Sequence, residues 1–414
     1  MAIAIICTGT ELLKGSCCNT DLAFAGSHLT AAGMPPVLEL TVGDHRDELV
    51  FALGTALNSA DTILISGGLG PTGDDITLET VARFFGLNLT IEPVLKEKVE
   101  KFWALRHPGR CPKFQYKQAM LPENARYFDN PAGVASGIGF DLIYAGTMRH
   151  IYLLPGPPGE FETVFSTGIL PELCSRRETQ LFTVGCFICG IGETLVAKTV
   201  EPLLKSLPLE IAYTAQSGGT KLFLSGSDEL LISAALEQCR HALGDAALPA
   251  GCFSLPEYLV AQLTARGETF ACAESCTGGL VADALVSVPG ASDCFLGSIT
   301  AYANEVKENL LHVPAGILAT VGAVSRECAE AMVNGVCAAF NSDCAVSTTG
   351  IAGPGGGTPQ KPVGLVYVAA SYHGITAVRE LHLRGNRRMI RERAVAQALL
   401  LLKGLLDGRG ADVC

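Results

Sequence analysis

Charge is scarce in this 414-residue chain, and what there is leans acidic. Asp, Glu, Lys and Arg make up 17% of the residues, with 30 Lys and Arg against 41 Asp and Glu, a formal net charge of −11. That sign excludes a broad, sequence-independent grip on phosphate backbones, so no nucleic-acid partner is expected, though a local basic pocket is compatible with it. Long apolar runs are missing too. The mean hydropathy is +0.33, yet Gly, Pro or a charge interrupts each apolar run well before the ~18 residues a membrane span needs, so none is expected. Nor does a basic stretch with an apolar segment and a small-residue cleavage site stand at the start, where Met1 leads into the strand-like run Ala2 to Ile6. The expected compartment is the cytosol.

Apolar residue types, by contrast, make up 48% of the chain, enough to outweigh the entropy of ordering it. At about 150 residues per domain, the length implies two or three domains. Sixteen cysteines, without a secretory signal, read as reduced small hydrophobes rather than disulfide partners. Cys186 and Cys189 have the spacing of a redox or zinc motif, but they fall in a strand-like stretch, where residues three apart point to opposite faces. Cys17, Cys18 and the eight scattered His show no metal-ligand spacing.

Strand and helix signals alternate through the first third, which implies a mostly parallel α/β sheet. They run as strand 2–8, helix 20–32, strand 37–42, helix 46–59 and strand 61–66. After Pro171 the chain turns polar, then gives short strands at 181–189, 210–215 and 221–226 with two helices, a compact α+β insert. From Gly251 the α/β rhythm resumes, with strands at 269–273, 297–302, 345–349 and 363–371 and a last helix at 388–406. The expected domains are therefore residues 1–172, 173–250 and 251–414.

In the first domain the apolar strand Ile63 to Ser66 empties into Gly67-Gly68-Leu69-Gly70-Pro71-Thr72-Gly73-Asp74-Asp75, and a helix follows. Such a turn lets the backbone approach a phosphate and aims free N–H groups at it. Its paired carboxylates suit a hydrated divalent cation. The alternative is that Asp75 caps the helix and the glycines serve a tight turn. The turn matches neither the P-loop nor the dinucleotide fingerprint. Together with Thr8 to Gly15, Lys117-Gln118-Ala119 and Leu153 to Glu160, it resembles the molybdopterin-binding-like domain of the CinA family over residues 1–172. The resemblance implies a three-layer α/β fold and metal-dependent hydrolysis of ADP-ribose. It also implies an acidic metal cluster of Glu11, Asp44, Asp74 and Asp75, and a nucleotide cradle of Gly67, Gly68, Thr72 and Lys117.

In the last domain a strand runs into Glu274-Ser275-Cys276-Thr277-Gly278-Gly279-Leu280 and then a helix. Ser275 is thereby expected at a helix N-terminus, either as an ordinary cap or as a nucleophile beside N–H groups that stabilise an oxyanion. At the end of another strand Asn304 is expected to cap a helix. That puts Lys307 in the first turn, facing the positive end of the dipole, where a cation is disfavoured and its pKa falls. Such a Lys suits a general base for Ser275, with Tyr302 relaying the proton or orienting the amine. A loop from Ser347 to Gly357 offers further backbone donors. Arg384, Arg387 and Arg388 supply guanidinium forks or a solvated face.

These segments, with Gly322 to Ser325 and Lys361 to Gly364, resemble the CinA C-terminal domain over residues 251–414. That domain is nicotinamide-nucleotide amidase in its characterised form. The resemblance implies hydrolysis of nicotinamide mononucleotide to nicotinic acid mononucleotide and ammonia, with no cofactor. It assigns Ser275 as nucleophile, Lys307 and Tyr302 as its partners, and Thr277, Gly278, Gly279, Thr349, Gly350 and Arg387 to the substrate. The whole is expected to be a cytosolic homodimer acting on pyridine nucleotides. The competing class is a non-catalytic nucleotide- or pterin-binding regulatory protein associated with competence.

Overall fold

The computed structural model describes residues 1–107, 109–176 and 181–408. The chain divides into two compact units, Met1–Thr183 with Ser227–Glu229, and Val184–Gly226 with Leu230–Cys414. No helix among the described residues is long and apolar enough to cross a membrane, and every cysteine among them is free.

Among the described residues the first unit carries eight strands: β1 (Ile3–Thr8), β2 (Leu38–Val42), β3 (Thr62–Ser66), β4 (Leu89–Ile91), β5 (Met120–Pro122), β6 (Arg126–Phe128), β7 (Gly137–Tyr144) and β8 (Thr147–Leu154). Six form one sheet in the order β2-β1-β3-β8-β7-β6. It is parallel from β2 to β8 and antiparallel through β7 and β6. β1 and β3 are buried at every position, the condition a parallel sheet covered on both faces imposes. Successive residues of β1 enter different cores. Ala4 and Ile6 pack with Leu49 and Leu53 of the helix Arg46–Ser59, whereas Ile3 and Ile5 pack with Ala25 and Leu29 of the helix Thr20–Ala31. The result is three layers. The antiparallel half of the sheet and the helix Pro93–Arg106 had no counterpart in the sequence reading.

The second unit begins with a three-stranded sheet of β9 (Phe182–Cys189), β10 (Glu210–Gln216) and β11 (Gly219–Gly226), in the order β10-β11-β9. Its two faces go separate ways. Cys186 and Ile188 pack under the helices Glu193–Leu204 and Glu229–Leu243, while Phe187 and Cys189 join the core of the C-terminal sheet. Cys186 and Cys189 are thus on opposite faces, both buried, and burial pushes each thiol up to about 12.

The C-terminal sheet comprises β12 (Phe270–Glu274), β13 (Phe295–Thr300), β14 (Cys344–Gly350), β15 (Leu365–Tyr372) and β16 (Ile375–His382), in the order β13-β12-β14-β15-β16. The first three are parallel and the last two antiparallel. The helices Leu255–Arg266, Leu280–Val286 and Arg387–Leu406 cover one face, and Asn304–Leu311 and Arg326–Phe340 the other.

Candidate functional site

β12 lies between β13 and β14, so the connection after β12 runs to one side and the connection after β13 crosses to the other, opening a crevice at the carboxyl ends of the parallel strands, where α/β sheets hold ligands. Ser275 is the first residue beyond β12, and its N–H donates to the Thr348 carbonyl at 3.0 Å. Lys307 is 1% exposed. Its Nζ lies 3.2 Å from Ser275 Oγ, 2.7 Å from the Ala301 carbonyl and 3.2 Å from the Tyr302 carbonyl. Burial lowers the Lys307 pKa, against a smaller opposing effect of the Cys328 and Cys276 thiols. A neutral amine held this way donates its two hydrogens to the carbonyls and turns its lone pair on the serine hydroxyl.

Two local expectations are corrected. The helix after Ser275 starts at Leu280, with Gly279 as N-cap at φ +99°, so Ser275 lies on the preceding turn rather than at the helix end. The helix's N–H groups are not free either. The buried Glu274 carboxylate accepts from Gly279 N at 2.9 Å, Val281 N at 3.1 Å and Ala282 N at 3.0 Å. A carboxylate satisfies the orphan donors and the dipole together, which is why it stands there. Among the described residues the N–H groups of Thr277 and Gly278 have no backbone or side-chain acceptor, and they follow closely on Ser275. Likewise the N-cap of the Lys307 helix is Ala303, without a side-chain cap, and Asn304 is the first helical residue. Lys307 still falls in the first turn.

The other expected residues divide. Tyr302 meets Lys307 through its carbonyl, while the residue as a whole is 64% exposed and its hydroxyl accepts from Arg387 Nη2 at 3.3 Å. Arg387 Nη1 also donates to the Gly353 carbonyl at 2.7 Å, joining Tyr302 to the loop after β14. Thr349 Oγ1 is buried and donates to the Ala323 carbonyl at 2.6 Å, and Thr277 Oγ1 is 2.6 Å from Thr348 Oγ1. Both hydroxyls brace the site instead of facing it. Gly350 ends β14, where a Cβ would lie 2.6 Å from Val366 Cγ2. Gly278, at φ +60°, continues the turn.

Sequence reasoning gave no role to Glu274 or Arg391. Arg391 donates to the Thr277 carbonyl from Nε at 3.2 Å and Nη2 at 2.5 Å. The signal for Glu274 was an acid closing an apolar strand just before a glycine turn; Arg391 left none, because its partner is a backbone carbonyl 114 residues away.

In the first unit a cleft of about 780 Å³ opens at the carboxyl ends of β1 and β3 and is bordered by Glu11, Asp21, Asp44, Gly67, Gly68, Asp74 and Asp75. Gly67 and Gly68 have φ +99° and +67°, and a Cβ on either would strike Thr8 or Thr77. The carboxylates share the cleft. Among the described residues no group of three or more His, Cys, Asp or Glu is arranged to hold an ion. Asp44 accepts from Thr10 N at 2.8 Å, and Asp75 accepts from Thr72 N at 2.8 Å. Thr72 Oγ1 lies 2.5 Å from both Asp74 and Asp75, which holds the Asp74 carboxyl below its usual range. That hydroxyl therefore serves the loop, and so does Lys117, whose Nζ is 3.5 Å from the Thr72 carbonyl and 3.6 Å from Glu79. Asp75 does not cap the helix Thr77–Phe85, whose N-cap is Ile76. Asp21 was not expected here. It is 7% exposed, receives Ser66 Oγ at 2.6 Å, leaves Oδ1 without a partner among the described residues, and is pushed by burial up to about 6.

Residues 253–406 match the family model described as the CinA C-terminal domain, and residues 4–174 the one described as a probable molybdopterin binding domain. A putative competence-damage inducible protein of Moorella thermoacetica is 41% identical over 97% of this chain and 98% of its own length. A CinA-like protein of Dictyoglomus thermophilum is 37% identical over 98% of this chain and all of its own. Among solved structures, the competence/damage inducible protein CihA from Agrobacterium tumefaciens is 38% identical over 37% of this chain and 93% of its own, with a TM-score of 0.36.

Proposed function

The chain belongs to the CinA family, and from that premise we propose that its C-terminal domain hydrolyses the carboxamide of nicotinamide mononucleotide to nicotinic acid mononucleotide and ammonia. The observation that carries the reading is Lys307, an amine withdrawn from water with its Nζ 3.2 Å from Ser275 Oγ. A buried lysine is costly to retain for stability alone, whereas one with a depressed pKa is a base at moderate pH. The choice of amide rests on the resemblance of five ordered motifs to the amidase domain.

The chemistry follows from the contacts. Lys307 takes the Ser275 hydroxyl proton as Oγ bonds to the carboxamide carbon, and the carbonyl electrons move onto oxygen. The N–H groups of Thr277 and Gly278, free of protein acceptors among the described residues, are the donors offered to that oxyanion. The Lys307 ammonium returns its proton to the departing nitrogen, the C–N bond breaks, and ammonia leaves an acyl-serine. Water, deprotonated by the same amine, then releases the acid. The pyridinium charge of the substrate makes its amide carbon more electrophilic throughout. No metal enters any step.

Incubating the full chain with nicotinamide mononucleotide in excess EDTA, and resolving nucleotides by chromatography, tests this: nicotinic acid mononucleotide and ammonia are expected in equal amounts. Binding without turnover would favour the regulatory reading. For the first unit, the tight turn that only glycine fits at positions 67 and 68 supports binding of a nucleotide phosphate through backbone N–H groups. The present carboxylate bonds, Asp44 to Thr10 N and Asp74 and Asp75 to Thr72, do not fit a bound cation.

A further inference from the structure

A cavity of about 580 Å³ in the second unit is bordered by none of Ser275, Lys307, Tyr302, Thr349 or Arg387. Four elements meet around it: the turn between β10 and β11, the start of the helix Leu255–Arg266, the helix Leu280–Val286, and the helix Arg387–Leu406. The turn reaches the last helix only because Gly218, at φ +91°, has no side chain, since a Cβ there would lie 2.8 Å from the Ala396 Cβ. The hairpin of the middle segment thereby closes a space that the C-terminal sheet and its helices alone would leave open.

The lining is largely apolar, with Leu255, Leu280 and Leu399 among it. Its charges are unevenly matched. Arg388 pairs with Glu392 at 2.7 Å. Arg391 is half-buried, its two hydrogen bonds go to the neutral Thr277 carbonyl, and among the described residues no carboxylate lies within 4 Å of it. Asp283, the remaining carboxylate, is exposed to water. A guanidinium partly withdrawn from water without a counter-charge favours an anion, above all a planar fork of oxygens. The volume falls within the range of about 300–1,000 Å³ typical of small-molecule sites, as does the pattern of an apolar lining with few polar groups.

We infer that this cavity binds a small flat organic anion, with its apolar body against Leu255, Leu280 and Leu399 and its carboxylate or phosphate on Arg391. The middle segment completes the site through its hairpin turn.

Calorimetric titration of the full chain with three probes of one shape tests this: 2-naphthoate, 2-naphthalenemethanol and 2-naphthylmethylammonium. Naphthoate is expected to bind once per chain, at least about tenfold more tightly than the alcohol or the cation. Arg391→Gln, which keeps a donor for the Thr277 carbonyl, should erase that preference, and Ala284→Phe, which fills the cavity, should abolish binding. Melting curves establish that each variant is folded. If Arg391→Gln does not fold, the order of the three probes and the Ala284→Phe result decide. Absence of saturable naphthoate binding, an alcohol or cation that binds as tightly, or binding unchanged in Ala284→Phe would overturn the inference. Because no turnover is read, such failure leaves the amidase proposal standing.

Discussion

Replacing Asp21 by Asn isolates the cost of holding a carboxylate in the N-terminal cleft. Asp21 is 7% exposed, Oδ2 receives Ser66 Oγ at 2.6 Å, and Oδ1 has no partner among the described residues. Burial is the largest influence, Glu162 adds repulsion, and the Ser66 hydrogen bond only partly offsets them, so the pKa rises from 3.8 to about 6. The folded state therefore binds this proton more tightly than the unfolded state. The associated stability is fully present below about pH 4 and is lost as pH climbs through about 6. Roughly two units at ~1.4 kcal/mol each make that loss about 3 kcal/mol by pH 7. Asn is never charged, so its own stability lacks this contribution. An unpaired amide in place of Oδ1 adds a cost of about 1–3 kcal/mol, but that cost is constant with pH. Denaturant unfolding of both proteins at pH 4, 5, 6 and 7 should show the variant gaining about 2–2.5 kcal/mol on the wild type across the range, since a little of the effect is already lost at pH 4. A difference that stays flat with pH would refute the reasoning.

Two further predictions concern the C-terminal crevice. Lys307→Arg should abolish ammonia release, since guanidinium does not deprotonate, and wild-type activity should rise with pH through a pKa below the ordinary lysine range; an active Arg variant with an unchanged pH profile would make Lys307 structural. Glu274→Gln turns an amide NH₂ toward donors at Gly279, Val281 and Ala282, so it should cost about 1–3 kcal/mol of stability in unfolding titrations and lower turnover in the folded protein.

The layered architecture was legible because the buried parallel strands β1, β3 and β12 read as continuous apolar runs closed by glycine turns. The antiparallel β16 was not, since its apolar residues alternate with Thr376, Arg379, Glu380 and His382 and form no such run. At the site, the closeness of Ser275 and Lys307 emerged from two separate motifs, each at the carboxyl end of a neighbouring strand. What the sequence could not show was how the hydrogen bonds are distributed. Glu274 takes the helix N–H groups that were expected to serve an oxyanion, Tyr302 offers its carbonyl rather than its phenol to Lys307, and Thr72 binds the carboxylates that were expected to bind a metal. Each depends on a side-chain rotamer or a tertiary contact, which composition and periodicity do not encode.

The proposed chemistry stands or falls on Ser275. Ammonia release from nicotinamide mononucleotide by the wild-type chain and by Ser275→Ala, measured side by side with substrate binding, is the direct test. Loss of the covalent route should lower turnover by at least about 100-fold while binding persists. A variant that releases ammonia at close to the wild-type rate would contradict the account.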